Sequence, residues 1–309
     1  MNIKLKGAIY GIIAAVSYGT NPLGALFLYE DGINADTVLF YRFLIAAILL
    51  GIIMIVQKQS FAVTKKELGI LAGLGILFAC SSLGLFISFK YIEAGIASTI
   101  LFIYPVIVAV IMAVFFKEKV SGITVLSILL ALGGVILLYG GGSGGVLNTR
   151  GVMLVLSASL TYALYIIFVN EAKLKLPDIK LTFYVLIFCI LTVFVHSLLS
   201  DGSHLQLLTA PKMWFWIGML ALVPTVISLL FMVKAIHLIG STPTSILGAL
   251  EPLTAVVIGI AVFGEALTLK LVIGIILILT AVIVIIVGKV LNRYLDTAFK
   301  KYKSRKLQY

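Results

Sequence analysis

An apolar run near the end of the chain, GALEPLTAVVIG at residues 248–259, contains a glutamate followed at once by a proline. Among twelve acidic residues only Glu251 falls deep inside such a run, and among twenty-three cations only Arg42 does, in FYRF at 40–43. Desolvation favours the neutral form of an unpartnered carboxyl. A group that takes up and returns a proton from a shielded position suits proton coupling and the binding of a polar solute. The other reading of Glu251 is a neutral acid that hydrogen-bonds the broken helix of a neighbour. Arg42 could reach along its apolar stem toward an outer cavity and attract a carboxylate, or pair with a helix end. A packing or topology role is its plainer reading.

The prolines add a second kind of chemistry. Pro252 has no N–H for the carbonyl of Gly248, and Pro105 likewise leaves the carbonyl of Leu101 free. The two prolines are paired gates or packing bends. Polar side chains recur at helical spacing around them. One stripe runs through Gly7, Gly11, Ala14, Tyr18, Asn21 and Ala25, another through Ala158, Tyr162 and Tyr165, and a third through Thr244, Gly248, Glu251, Ala255 and Gly259. Tyr18, Asn21, Tyr162 and Tyr165 are candidates to line a cavity, with Tyr104 a weaker one; hydrogen bonding between helices is the alternative for the stripe tyrosines. Ser81, Ser82, Thr225 and Ser228 are weaker candidates, because such hydroxyls commonly bond their own helix backbone. Glu118 and Glu265 read as caps beside the starts of the fifth and tenth spans set out below. Metal chemistry finds no support, since His196, His204 and His237 are far apart and Cys80 and Cys189 lie inside apolar segments.

These residues must be held by elements that survive in an apolar solvent. The chain of 309 residues is 62% hydrophobic and 11% charged, with mean hydropathy +1.21; soluble domains average roughly 25% charged residues. An all-α integral membrane protein is the class that fits. A crossing helix needs about 20 apolar residues. Ten such runs occur, at 6–28, 36–56, 68–89, 94–115, 121–139, 151–170, 181–199, 213–235, 243–263 and 268–288. The first lacks a small-residue cleavage site after it and reads as a span rather than a signal peptide. With the N-terminus inside, eighteen cations fall on inside segments and the tail, and four (Lys90, Arg150, Lys212, Lys270) fall outside. That asymmetry fits the positive-inside rule with both termini cytoplasmic, and it accounts for the net charge of +11. The basic tail, 289–309, anchors topology in this reading, with contact to anionic lipid or nucleic acid as the alternative. Trp214 and Trp216 suit an interfacial aromatic belt. On this layout Arg42 lies roughly 9 Å from the outer end of its span and Glu251 roughly 12 Å from the inner end of its own, so the two need not pair directly.

The halves repeat. YPVIVAVIMAVFFKEKV at 104–120 aligns without a gap on EPLTAVVIGIAVFGEAL at 251–267, placing Pro105 on Pro252 and Glu118 on Glu265; Tyr18 falls on Tyr162. Five spans per half is an odd number, so the second half enters the membrane from the opposite side. Such inverted repeats typify secondary transporters with a site between the halves. The chain divides into a first repeat at 1–139, a Gly-rich external linker at 140–150, a second repeat at 151–288 and the tail. The linker, within YGGGSGGVLNTR, lacks the Gly-Lys-Ser/Thr of a phosphate loop.

In Arg42-Phe43, Pro105, KEK at 117–119, Glu251-Pro252 and GEAL at 264–267, the chain resembles the EamA type of the drug/metabolite transporter superfamily over residues 7–139 and 151–288. Lys117 stands where that family usually has glycine beside the glutamate. The resemblance implies ten transmembrane helices in two inverted five-helix EamA repeats. It further implies a secondary transporter of a bacterial cytoplasmic (inner) membrane, exporting amino acids or related small metabolites by alternating access. Expected partners are a small-molecule solute, protons as candidate coupling ion, and the lipid bilayer, with the chain a monomer or homodimer and no nucleic acid, metal or cofactor involved. A phosphate- or nucleotide-sugar exchanger of the same superfamily would need several deep cations, and only Arg42 is present. A membrane-embedded enzyme would need clustered catalytic groups, which the sequence does not offer.

Overall fold

A computed structural model describes residues 3–115, 147–172, 176–200, 204–239 and 250–281, with isolated positions in the intervening stretches. Among the described residues the chain is helical throughout: α1 (Ile3–Gly19), α2 (Asn21–Glu30), α3 (Ala35–Val56), α4 (Lys65–Ser88), α5 (Ala94–Leu101), α6 (Tyr104–Phe115), α7 (Thr149–Glu171), α8 (Asp178–Leu199), α9 (Pro211–Ala221), a π-helical segment (Leu222–Ile227), α10 (Ser228–Ile239), α11 (Leu250–Phe263) and α12 (Leu269–Ala281). Local chemistry sets several of these ends. Asn34 caps α3 by accepting the Thr37 N–H, and Thr64 and Glu67 form a reciprocal capping box at α4.

Among the described residues, six helical stretches are long and apolar enough to cross a membrane, at Leu5–Glu30, Ala35–Val56, Lys65–Ser88, Thr149–Val169, Asp178–Leu199 and Pro211–Ala235. Shorter apolar helices cover Ala94–Val108, Leu250–Phe263 and Leu269–Ala281. These stretches coincide with nine of the ten expected spans. Most of the span expected at 121–139, the linker at 140–146 and the tail lie outside the described residues, as does Glu118. Among the described residues, at least three of the spans are not the continuous α-helices their apolar runs suggest. The first breaks at Thr20, the fourth at Phe102 and Ile103, and the eighth widens into the π segment. Each lies against a proline, which removes one i→i−4 hydrogen bond and clashes with the preceding turn.

Apolar side chains such as Ile48, Ile52 and Ile55 on α3 and Leu191, Val195 and Leu198 on α8 are exposed at helical spacing. That is the surface a bilayer requires. The core forms where the first half of the chain packs on the second: α4 on α7 and α8, α3 on α8, α1 on α10 and α11, and α5 on α11. Small residues permit the close crossings. A side-chain carbon on Gly84 would meet the Leu154 carbonyl oxygen at 2.8 Å, and one on Gly19 would meet that of Glu251 at 2.6 Å.

Candidate functional site

Among the described residues four prolines lie within spans, and each carbonyl they leave without a partner is capped. The Tyr18 carbonyl, deprived of an N–H by Pro22, accepts Asn21 Nδ2 at 2.8 Å. The Leu101 carbonyl, opposite Pro105, accepts Ser159 Oγ from α7 at 2.9 Å. The Leu220 carbonyl, opposite Pro224, accepts Thr225 Oγ1 at 2.7 Å. The Gly248 carbonyl, opposite Pro252, accepts the N–H of Glu251 at 2.9 Å. Broken backbone at membrane depth is tolerated when it is satisfied inside the protein.

Two of those caps converge on Arg42. Its Nη1 donates to Asn21 Oδ1 at 2.8 Å and its Nε donates to Thr225 Oγ1 at 3.1 Å. The guanidinium also lies against the rings of Phe43 and Phe86, 5.1 and 5.0 Å from their centroids. Arg42 is 1% exposed, so the charged head is packed inside the bundle instead of reaching toward an outer cavity. Fork geometry explains the residue type, because one planar group reaches the start of α2 and the π-helical segment together.

The tyrosines singled out by spacing come together. Tyr104 meets Tyr162 edge-on with ring centroids 4.7 Å apart, and Tyr162 lies parallel to Tyr18 at 6.3 Å and to Tyr165 at 6.1 Å. All four are buried. Glu251, 8% exposed, opens onto a small cavity, with room for about one water molecule, lined by Tyr18, Gly19, Asn21, Leu85, Ser98, Leu101 and itself. Among the described residues, Tyr18, Tyr104 and Tyr162 lie within electrostatic range of it. Among the described residues, no group donates a hydrogen bond to its carboxyl or pairs with it as an ion. Tyr18, Asn21 and Glu251 thus share one cavity, Arg42 stands behind Asn21, and Tyr104, Tyr162 and Tyr165 form the aromatic wall behind Tyr18. Pro105 and Pro252 are buried at the breaks beside it. Ser81, Ser82 and Ser228 are buried as well, while Thr225 is drawn in by Arg42.

Glu265 corrects its expected role. It caps a helix, but its carboxylate accepts the N–H groups of Ala94 and Gly95, at 2.8 and 3.2 Å, at the start of α5 rather than at α12. Gly264 turns the chain at φ +67, a backbone angle that glycine adopts freely, and the Glu265 N–H returns to the Gly259 carbonyl. Gly259 is small because a side chain there would run into the Glu265 carboxyl. Burial raises the Glu265 carboxyl above its ordinary value, against the opposing pull of the two amides. Trp216 also does more than mark an interface, stacking on Phe27 at 4.6 Å.

Sequence reading missed Pro22, Pro224 and Ser159. The first two carry the signal already used for Pro105 and Pro252, a proline inside an apolar run. Ser159 carries no signal of its own, since only the fold sets it opposite Leu101. Its loss has a defined consequence: Ser159→Ala should destabilise the protein by about 1 kcal/mol, the usual worth of a hydrogen bond between membrane helices. Ser157→Ala, removing an exposed hydroxyl that bonds its own helix at Leu154, should leave thermal unfolding in detergent unchanged.

The sequence pattern of the EamA-like transporter family matches residues 5–140 and 149–287, nearly the whole chain in two copies. The chain belongs to the EamA-like transporter family. It is 26% identical over 304 residues to an uncharacterized transporter of Clostridium kluyveri, covering 93% of each chain. Identity is 25% over 276 residues to the uncharacterized transporter YcbK of Bacillus subtilis, covering 87% of this chain and 88% of that one. A solved crystal structure of a protein superposes with a TM-score of 0.67 at 17% identity, over 94% of this chain and 98% of its own, which is a likeness of fold. Membership fixes the two-repeat architecture and the drug/metabolite transporter superfamily for this EamA chain. It is a multi-pass membrane protein of transporter type.

Proposed function

We propose that this EamA-like protein is a secondary active transporter that exports amino acids or related small metabolites by alternating access, with proton movement through Glu251. The observation that carries this reading is a buried carboxyl without a hydrogen-bonding partner among the described residues, facing a cavity between proline-broken helices from both halves of the chain. A proton-accepting group must meet each side of the membrane in turn, and the broken helices supply places where the walls can bend. No step requires ATP.

The two repeats are inverted in this reading, with both termini in the cytoplasm and the chain in a bacterial cytoplasmic membrane. The eighteen-to-four cation distribution supports that orientation. Reporter fusions after residue 145 should read outside, and fusions at 60 and 309 inside. Finding the 145 loop and the C-terminus on one side would end the inverted-repeat argument. The function itself is tested by reconstituting the purified chain into sealed vesicles with an imposed pH gradient. Gradient-driven solute flux with no chemical conversion is the expected result; conversion without flux would replace the transporter by an enzyme.

A further inference from the structure

The first turn of α5 carries N–H groups with no partner inside the helix, and Glu93 at its N-cap position makes no side-chain cap bond to them. Glu265 supplies the cap from the other half of the chain, accepting the N–H groups of Ala94 and Gly95 at 2.8 and 3.2 Å. The partial positive charge of a helix N-terminus favours a carboxylate there. We infer that this cap is a clasp, which holds α5 against α11 on the outward side of the Glu251 cavity and must let go for that cavity to open outward. The inference rests on the transporter reading above and gives it an outer gate.

The seam between the two helices can be followed outward from the cavity. Ser98 and Leu101 of α5 line it together with Glu251 of α11. One turn nearer the start of α5, a side-chain carbon on Gly95 would meet Val256 at 3.2 Å and the Glu265 carboxylate at 2.9 Å. On the facing helix, a side-chain carbon on Gly259 would run into the same carboxylate. The order is therefore Glu251, Val256, Gly259 and Glu265 on one side of the seam, against Leu101, Ser98, Gly95 and Ala94 on the other. The clasp closes the seam directly beyond the cavity, at the end that the cation distribution assigns to the outside.

The source of the cap is what makes it a gate. A cap from Glu93 would satisfy the helix start and leave the seam free, whereas a cap from Glu265 does both. The cavity has room for about one water molecule, so anything larger passes only when its walls part. Parting Gly95 from Gly259 breaks both bonds to Glu265. Because Glu265 is half-buried, water can take over the freed carboxylate and N–H groups, and the clasp is able to release.

A thiol placed in the cavity tests this. Ser98→Cys, combined with Cys80→Ala and with Cys189 kept, is expressed in intact cells and treated from outside with a membrane-impermeant methanethiosulfonate bearing a quaternary ammonium. The reagent is larger than water, so its rate at position 98 follows the fraction of time the seam stands open. Cys189 on α8, 0% exposed with its thiol on the Gly75 carbonyl at 3.3 Å, reports any general loosening. Loss of a hydrogen bond to a charged group shifts such an equilibrium roughly tenfold or more. Glu265→Ala should raise the rate at position 98 by at least that factor and leave Cys189 unmodified. Gly259→Ala should do the same with Glu265 in place, because the added methyl pushes the carboxylate off the seam. Glu265→Gln, which keeps one acceptor oxygen, should give a smaller rise, and it carries the test if the alanine variant fails to fold. An unchanged rate at position 98 in these variants once folded, or a matching rise at Cys189, would overturn the inference. Flux in sealed vesicles is a separate readout. Gradient-driven flux with an unchanged rate at position 98 would refute the clasp alone, whereas a raised rate with no flux by the parent chain would keep the clasp and refute the transporter.

Discussion

Glu251→Gln is expected to fold, reach the membrane and lose its response to a pH gradient. Glutamine keeps the volume of glutamic acid and much of its hydrogen-bonding capacity, so the α11 face that packs on α1 and α5 is preserved. What it cannot do is titrate. If the proton crosses on Glu251, the ratio of solute flux with an inward-acid gradient to flux without one should fall to about one in the variant, whatever residual exchange remains. That loss is larger than any packing effect at the site, because it removes a co-substrate rather than a contact. Flux in sealed vesicles at matched protein density measures it. A variant that keeps full gradient-driven transport would reduce Glu251 to architecture, a neutral acid filling a gap between broken helices.

The parts of this site that were legible in the sequence are those whose cost is visible in one dimension. Glu251 and Arg42 stand out because ionisable residues are expensive in an apolar run. Helical spacing put Tyr18 with Asn21 and Tyr162 with Tyr165, and the repeat linked Tyr18 to Tyr162 before any contact between them was known. Pairings across helices were not legible. Nothing in FYRF says that Arg42 will be held by Asn21 and Thr225, because Thr225 is 183 residues away and its hydroxyl reads locally as a backbone-bonding group. Thr225 indeed bonds its own helix, at Leu220, and accepts Arg42 with the remaining lone pair. Glu265 was misassigned for the same reason: a carboxylate beside a helix start in sequence found another helix start, at Ala94, closer in space. The broken spans were legible in principle. Pro22 and Pro224 obey the rule applied to Pro105 and Pro252, but an apolar run long enough to cross a membrane says nothing about whether its helix is continuous.

Arg42→Lys should cost more stability than any other single substitution considered for this protein, without taking away a solute contact. The arginine fork satisfies Asn21 on the α1–α2 break and Thr225 in the π segment at once, while its flat faces rest against Phe43 and Phe86. Lysine retains the charge but is a point donor on a single stem. It can meet one partner, leaving the other unpaired, and it replaces a weakly hydrated guanidinium by an ammonium that resists desolvation. Hydrogen bonds to charged groups are worth about 1.5–3 kcal/mol each, so a loss in that range is expected, seen as a lower midpoint of thermal unfolding in detergent. Asn21→Ala and Thr225→Val should each reproduce part of it, and a double-mutant cycle with Arg42→Lys should show coupling on the order of 0.5–3 kcal/mol for residues in one network. Affinity for the bound solute, measured on the folded fraction, should stay within about twofold of the parent. If Arg42→Lys instead leaves the melting midpoint in place and weakens solute binding tenfold or more, then the guanidinium turns from the helix breaks to the solute during transport, and the clamp seen between Asn21 and Thr225 is only its resting place.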